Sequence, residues 1–342
     1  MLSKVNKLLL ACIYYLLLGM FGLNNSVADN QCPDQIRGIN LAGAEFGENG
    51  LPGVSAKYFK FPTEAQLKYY SLAGFNAVRL PIGWEKIQPA LFGDLDKTYS
   101  SNLLTFMDQA QKYHQRVVID IHNYARYRDR LLGSSDVPSS AFYDLWKKLA
   151  SIVHNHPALY AYSLMNEPHD TQNLWHEAAQ YGINAIRTID KLHLIYVDGD
   201  EWSGAASWPK ANPRPFVSDP FNKVVYDAHS YFDDDFSGRY KKMGENVNFK
   251  DRINARLQPF IFWLKTNKQK GVIGEWSLPA NDPKFNNAVD SFIDITNAEC
   301  LDWFIWAGGQ WKADYELSLE PVDGQDKVLL KKLKEYLHPL HK

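Results

Sequence analysis

Net charge is the first thing this sequence lacks. Its 37 Lys and Arg stand against 39 Asp and Glu, a formal charge of −2 over 342 residues. Nucleic-acid binders carry a basic face, so the composition makes no case for a nucleic-acid partner. Cysteine is scarce, at three, and no His/Cys cluster with metal-ligand spacing accompanies it, so no metal and no other cofactor is expected. The G-x-G-x-x-G turn of a dinucleotide site is also missing: LAGAEFGENG (41–50) has glycines at other spacings. No Ser/Thr/Pro-rich linker and no second compositional block interrupts the chain, which points to one domain and no appended binding module. A monomer is expected.

Only one long apolar run is present, and it lies at the start. Lys4 and Lys7 precede LLLACIYYLLLGMFGL (8–23), and Ser26-Val27-Ala28 then offers small residues where a signal peptidase reads. The pattern is that of a cleaved secretory signal over 1–28, with the mature protein at 29–342, outside the cytoplasm and free of the membrane after cleavage. Two other readings stay open. The run is short for an uncleaved anchor of ~20 residues, and Leu9-Leu10-Ala11-Cys12 resembles a lipoprotein box but has little apolar sequence before it.

Aromatic residues are what the sequence has in plenty: 14%, with ten Trp and nineteen Tyr. With 45% hydrophobic residues the chain can fill a large core, and surplus Trp and Tyr also supply flat faces against which sugar rings lie. From residue 37 the sequence alternates short apolar strands with longer amphipathic segments. The strand candidates are RGINLAG (37–43), NAVRLPI (76–82), RVVIDIH (116–122), YAYSLMNE (160–167), LIYVDG (194–199), VVYDAHSY (224–231), GVIGEW (271–276) and DWFIWAGG (302–309). They are rich in Val, Ile and aromatics, as strands covered on both faces should be. Helical stretches are read over 63–73, 101–114, 139–155, 174–189, 254–268 and 283–298. Eight such units are the count of a single (β/α)8 TIM barrel; the alternative is an open doubly wound sheet. A barrel brings the strand ends that follow Cys32 and Cys300 together, so a disulfide between these two is expected, against two free thiols.

In such a barrel the chemistry sits at the C-terminal strand ends. There the sequence places Arg79, His122, Asn166, Glu167, His229, Tyr231, Glu275 and Trp306. Two glutamates facing across a barrel mouth suit glycoside hydrolysis, one giving a proton to the leaving oxygen and the other attacking the sugar carbon. Pro168 is expected to hold Glu167 extended and to end the fourth strand there.

From 37 to 322 the chain resembles glycoside hydrolase family 5, the former cellulase family A. The resemblance rests on NAVRLPIGW, VVIDIHNYAR, MNEPHD, DAHSYFDDDFSG, IGEW, IWAGGQW and DYELSLEP, and is nearest to the endo-β-1,4-glucanase branch. It implies retaining hydrolysis of a β-glucan polysaccharide or oligosaccharide, with water as the only co-reactant. It also implies roles: Glu167 as acid/base, Glu275 as nucleophile, and Asn166 on the sugar 2-hydroxyl. Arg79 and Tyr231 would hold Glu275 ionised and oriented, and His122 and His229 would line the central subsite. Trp306 would be its floor, followed by a cis peptide.

Trp202 and Trp311 are the first candidates for sugar stacking, with Trp84, Tyr124 and Trp208 behind them; Asn40 reads either as a turn residue or as a distal contact. Arg239 and Lys312 depart from the branch pattern in the cleft, which leaves fine specificity open among cellulose, mannan, xyloglucan and mixed-linkage glucan. A non-catalytic carbohydrate-binding barrel would be expected to have lost part of this constellation. Asp233-Asp234-Asp235 reads as a solvated loop, the alternative being a cation site, and His154 and His156 as a helix end before Pro157, the alternative being a metal pair.

Overall fold

The computed structural model describes residues 32, 34–46, 59–244, 247–311 and 314–337. The N-terminal signal assigned to 1–28 lies outside them, as does Lys312. Residues from Ile36 onward form one compact unit, and those up to Gln35 are assigned to another. Cys32 and Cys300 are each disulfide-bonded.

Eight parallel strands close a barrel: β1 (Arg37–Ala42), β2 (Ala77–Ile82), β3 (Arg116–Ile121), β4 (Leu159–Ser163), β5 (Leu194–Asp198), β6 (Val224–Tyr231), β7 (Gly271–Ser277) and β8 (Asp302–Gly309). Strands follow one another around the ring in chain order, and β8 returns to β1 with Arg37 opposite Trp303. The doubly wound alternative is excluded by this closure. The longer helices α1 (Glu64–Ala73), α2 (Lys97–Lys112), α3 (Ser139–Val153), α4 (Trp175–Arg187), α5 (Phe249–Asn267), α6 (Asn286–Ala298) and α7 (Val328–Leu333) run between or after the strands. After β5 there is only a single turn, Trp208–Ala211. The sequence rules for helix ends act visibly at α1. Thr63 accepts from the Gln66 backbone N–H while the Gln66 side chain accepts from the Thr63 N–H, a reciprocal capping box. No described helix is long and apolar enough to cross a membrane.

Two apolar layers and one polar layer position the site. The outer layer lies between strands and helices. The inner one fills the barrel bottom with Ile36, Ala77, Val118, Ala161, Tyr196, Val225, Val272 and Phe304, one from each strand or its start. Phe304 plugs the axis so closely that a Cβ on Gly38 would lie 2.2 Å from its ring, so only glycine fits there. Above this plug the inward positions turn polar: Asn40, Arg79, Asp120, Asp198 and Asp227 are all fully buried. Charges this deep persist only when paired or hydrogen-bonded, and their pairing builds the floor of the mouth.

The fourth strand departs from the sequence reading. It ends at Ser163, not at Glu167, and Glu167 has φ +44°, left-handed rather than extended. Hydrogen bonds override the pre-proline preference. Leu164 donates to the Tyr196 carbonyl (3.0 Å), Asn166 to the Ile121 carbonyl (2.8 Å), and the Glu167 N–H to the Asp198 carboxylate (2.9 Å). The chain is thus held by both neighbouring strands and then turned at Glu167. A non-glycine residue in this region costs on the order of 1 kcal/mol or more, which the buried bond to Asp198 helps offset.

Candidate active site

Arg79 organises the floor. Fully buried, it donates Nη1 to Glu275 Oε1 (3.0 Å) and Asn40 Oδ1 (3.0 Å), and Nη2 to Asn166 Oδ1 (2.9 Å), with Asp120 Oδ1 at 3.2 Å. Burial opposes its charge, but Asp120, Glu275, Asp227 and Asp198 outweigh it and raise its pKa. Tyr231 donates its hydroxyl to the other Glu275 oxygen, Oε2, at 2.9 Å. Both Glu275 oxygens are therefore fixed from below and from the side. Asn40 is consumed in this scaffold, its amide also donating to the Gly274 and Ile305 carbonyls. It is a structural brace and not a distal contact.

Glu167 faces a different environment. Its Oε1 lies 2.8 Å from His229 Nδ1, and its side chain keeps 18% exposure. Burial is the largest influence and pushes its carboxyl up to about 7, against the pull of His122, Arg79 and His169. The Glu167 carboxyl is thus protonated over the acidic range, as a proton donor must be. Burial also pushes the His229 imidazole down to about 4, so the ring is neutral at pH 5–7. Oxygens of Glu167 and Glu275 and a nitrogen of His229 all lie within 4.8 Å of one another. An oxygen of each carboxyl can thus reach the same small space at the barrel mouth.

The Asn166 side chain completes the polar rim. With Oδ1 bound to Arg79, its Nδ2 makes no hydrogen bond within the protein and stands as a spare donor beside the dyad. His122 Nδ1 is 2.7 Å from Asp120 Oδ2, and the His122 ring stacks on Trp306 at 5.5 Å and 15°. Burial works against a charged His122, but the hydrogen bond and charge of Asp120 prevail and raise its pKa. Trp306 is held by its Nε1–H to the Tyr315 hydroxyl (2.9 Å), and the Trp306–Ala307 peptide is cis.

The aromatic candidates separate. Trp202 is 46% exposed and lies flat on His169 (4.6 Å, 8°), its loop tied to the Glu167 loop by Trp202 N–H to the Pro168 carbonyl (3.0 Å). Tyr124 is 37% exposed beside His122. Trp311 is half-buried, stacked on Tyr315 (4.2 Å) and edge-on to Trp306 and Phe46. Trp84 and Trp208, by contrast, are fully buried. Trp84 packs on Tyr127 and Phe142, and Trp208 on Phe260 and Trp263, so both are core residues, not sugar platforms. The acidic loop also differs from expectation. Asp233 is fully buried and accepts from Ser237, Gly238 and Tyr240, while Asp234 pairs with Arg252 and Asp235 with Lys242. Arg239 lies in this turn, its N–H on Ser237 Oγ. His154 bonds the Ala150 carbonyl and His156 pairs with Asp108, each accounted for separately.

Sequence reasoning passed over Asp198, Asp227, His169 and Tyr315. The first two could have been found as lone carboxylates inside strands that are otherwise apolar, LIYVD and VVYDAHSY. Among the described residues two groups have spacing that could hold a metal ion, Glu167–His229–Glu275 and Asp198–Asp227–His229. They share His229, whose Nδ1 is engaged by Glu167, and Glu275, Asp198 and Asp227 already face the Arg79 cation, whose pKa they raise.

Comparison with known proteins places this geometry. Residues 39–311 match the model of the family described as cellulase (glycosyl hydrolase family 5). Endo-beta-1,4-glucanase B of Emericella nidulans is 31% identical over 293 residues, 84% of this chain and 86% of that protein. Endo-beta-1,4-glucanase B of Aspergillus niger is 33% identical over 293 residues, 84% and 85% of the two chains. Among solved structures, Pseudomonas stutzeri endoglucanase Cel5A in complex with cellobiose superposes with a TM-score of 0.84 at 37% identity, over 88% of this chain and 92% of the other. XacCel5A in complex with cellopentaose gives 0.79 at 34%, over 87% and 98%.

Proposed function

This chain belongs to glycosyl hydrolase family 5, the cellulase family, and from that premise we propose that it is a retaining endo-β-1,4-glucanase working through Glu167 and Glu275. The observation that carries the mechanism is the pair of carboxyls at the barrel mouth with an oxygen of each within 4.8 Å of the other, one beside His229 and the other clamped by Arg79 and Tyr231. Relatives named endo-β-1,4-glucanase, and similar structures holding cellobiose or cellopentaose, support a β-1,4-glucan chain as substrate.

In the first step the Glu167 carboxyl passes its proton to the glycosidic oxygen as the bond from that oxygen to the anomeric carbon breaks. A Glu275 oxygen forms a bond to the same carbon, and the leaving chain departs with its new hydroxyl. In the second step the ionised Glu167 takes a proton from water, the water oxygen bonds to the anomeric carbon, and Glu275 is released as a carboxylate. Two inversions leave the configuration retained. Asn166 Nδ2 is placed to bond the 2-hydroxyl as positive charge develops on the ring. Trp306 forms the floor of the central subsite, with His122 against its face. Trp202 and Tyr124, both exposed, supply sugar-stacking faces along the cleft, and Trp311 extends the wall. No metal enters the scheme. Residues 1–28, with their basic start, apolar run and small residues before Asp29, fit a secretory leader, which puts the enzyme where polysaccharide is found, acting as a monomer.

A polysaccharide panel tests the activity. On carboxymethyl-cellulose the viscosity is expected to fall well before much reducing sugar accumulates, as random internal cleavage requires. Release of sugar at constant viscosity would contradict endo action. Mannan cleaved faster than any β-1,4-glucan would contradict the substrate.

A further inference from the structure

Behind His229, on the side away from Glu167, lie two carboxyls that the mechanism above does not use. His229 Nε2 is 3.6 Å from Asp198 Oδ2 and 4.0 Å from Asp227 Oδ1. Asp198, Asp227 and His229 are buried, and their facing atoms lie within 4.8 Å of one another. Asp198 Oδ1 and His229 Nε2 make no hydrogen bond within the protein, and the Asp227 carboxyl has only the nearby Gly274 N–H. The approach is built in, since a Cβ on Gly274 would lie 2.2 Å from Asp227 Oδ1 and only glycine leaves that carboxyl its place. Asp198 meanwhile accepts the Glu167 N–H through Oδ2, so it touches the acid/base at its backbone as well as facing the histidine that meets its side chain.

We propose that Asp198 and Asp227 together fix His229 as the Nε2–H tautomer, which turns Nδ1 into an acceptor for the proton-bearing oxygen of Glu167 and makes both aspartates positioning residues for the acid/base. The inference rests on Glu167 being that acid/base. A bare Nε2 lone pair facing the oxygens of Asp198 and Asp227 is repulsive, whereas an N–H there is attractive. Burial pushes the Asp227 carboxyl up to about 8, and burial together with the Asp227 charge raises Asp198 well above the usual carboxylate range. Each carboxyl, protonated or not, keeps an oxygen that can accept the Nε2–H. A neutral ring protonated at Nε2 carries its lone pair at Nδ1, 2.8 Å from Glu167 Oε1. Such an acceptor stabilises the protonated Glu167 and disfavours its carboxylate, which is the resting state a proton donor needs.

Groups from six strands or their ends bear on the ring: Arg79 on β2, Asp120 and His122 on and after β3, Glu167 after β4, Asp198 on β5, Asp227 on β6 and Glu275 on β7. Among the described carboxyls, only those of Asp198 and Asp227 stand within 4.0 Å of Nε2.

The test is the 15N spectrum of histidine-labelled wild-type enzyme near pH 5.5, with His229 assigned by comparison with His229→Gln. The expected result is protonated Nε2 with unprotonated Nδ1. Protonated Nδ1 with bare Nε2, or a doubly protonated ring, overturns the proposal. The functional readout is the pH profile of kcat/KM, whose alkaline limb marks loss of the Glu167 proton. In Asp198→Asn/Asp227→Asn that limb is expected about one unit lower, because the acceptor at Nδ1 is no longer enforced; a folded double variant with an unmoved limb also overturns the proposal. Glu167→Gln, assayed on an aryl cellobioside with an activated leaving group, separates the two levels. Persistence of the alkaline limb in that variant refutes Glu167 as acid and takes the inference with it. Loss of the limb together with protonated Nδ1 in wild type refutes the inference alone.

Discussion

Glu275→Gln is expected to lower kcat on carboxymethyl-cellulose by about 10⁴-fold or more, roughly 5 kcal/mol of lost transition-state stabilisation. The amide has nearly the carboxylate's shape; its oxygen can still accept from Arg79, and its NH2 can donate to the Tyr231 hydroxyl oxygen once that hydroxyl turns, so the mouth keeps its form. It cannot form the glycosyl ester, because a neutral amide is a poor nucleophile. Arg79 is not left alone in the barrel, since Asp120 lies 3.2 Å from its Nη2; the charge remains paired and the fold survives. Binding of cello-oligosaccharides, measured by calorimetry, is expected to stay within a few-fold of wild type. Turnover within tenfold of wild type would end Glu275's part as nucleophile. Loss of binding in parallel with loss of turnover would indicate a damaged cleft instead.

The second large effect is selective by leaving group. Glu167→Gln is expected to lower kcat/KM on a natural glucan by about 10²–10⁴-fold, the usual worth of general acid catalysis. The same variant on an aryl cellobioside whose leaving group departs without a proton is expected to keep kcat/KM within about tenfold of wild type. On that substrate kcat should fall further than kcat/KM, because the missing base slows the attack of water on the intermediate. Equal losses on both substrates would mean that Glu167 does something other than donate a proton. The asymmetry follows from the environments. Glu167 lies against a neutral histidine in a buried setting that pushes its carboxyl up to about 7, while Glu275 is ion-paired with Arg79 and receives the Tyr231 hydroxyl.

Much of this arrangement is legible in the chain. A parallel barrel strand is covered on both faces and reads as a short apolar run, so a charged, amide or aromatic residue at its end is conspicuous. Arg79, His122, His229, Tyr231, Glu275 and Trp306 are visible for that reason, and the structure brings all of them to one mouth. Glu167 was placed correctly in space but with the wrong backbone. A pre-proline residue prefers extended geometry locally, and three hydrogen bonds from partners 31 or more residues away decide otherwise. Trp84 and Trp208 mislead for a different reason. A Trp just after a strand looks the same in sequence whether the chain turns it toward the cleft or into the helix layer, and here both are turned inward. Asp198 and Asp227 are visible as lone carboxylates in apolar strands, but their role is not, because an inward position in a barrel strand carries no mark distinguishing it from an outward one. Their meaning depends on the register that sets Asp198 beside Asp227 and both beneath His229.

The central claim is a double displacement in which Glu275 becomes covalently bonded to the sugar. A 2-deoxy-2-fluoro cellobioside with an activated leaving group slows both steps and the breakdown of the ester most, so the intermediate accumulates and can be weighed. Intact-protein and peptide mass spectrometry is expected to show one fluorocellobiosyl group per chain, carried by the peptide containing Glu275, with no label in Glu275→Gln. A label on Glu167, or an enzyme that turns over glucan yet accumulates no adduct and releases product of inverted configuration, would contradict the account.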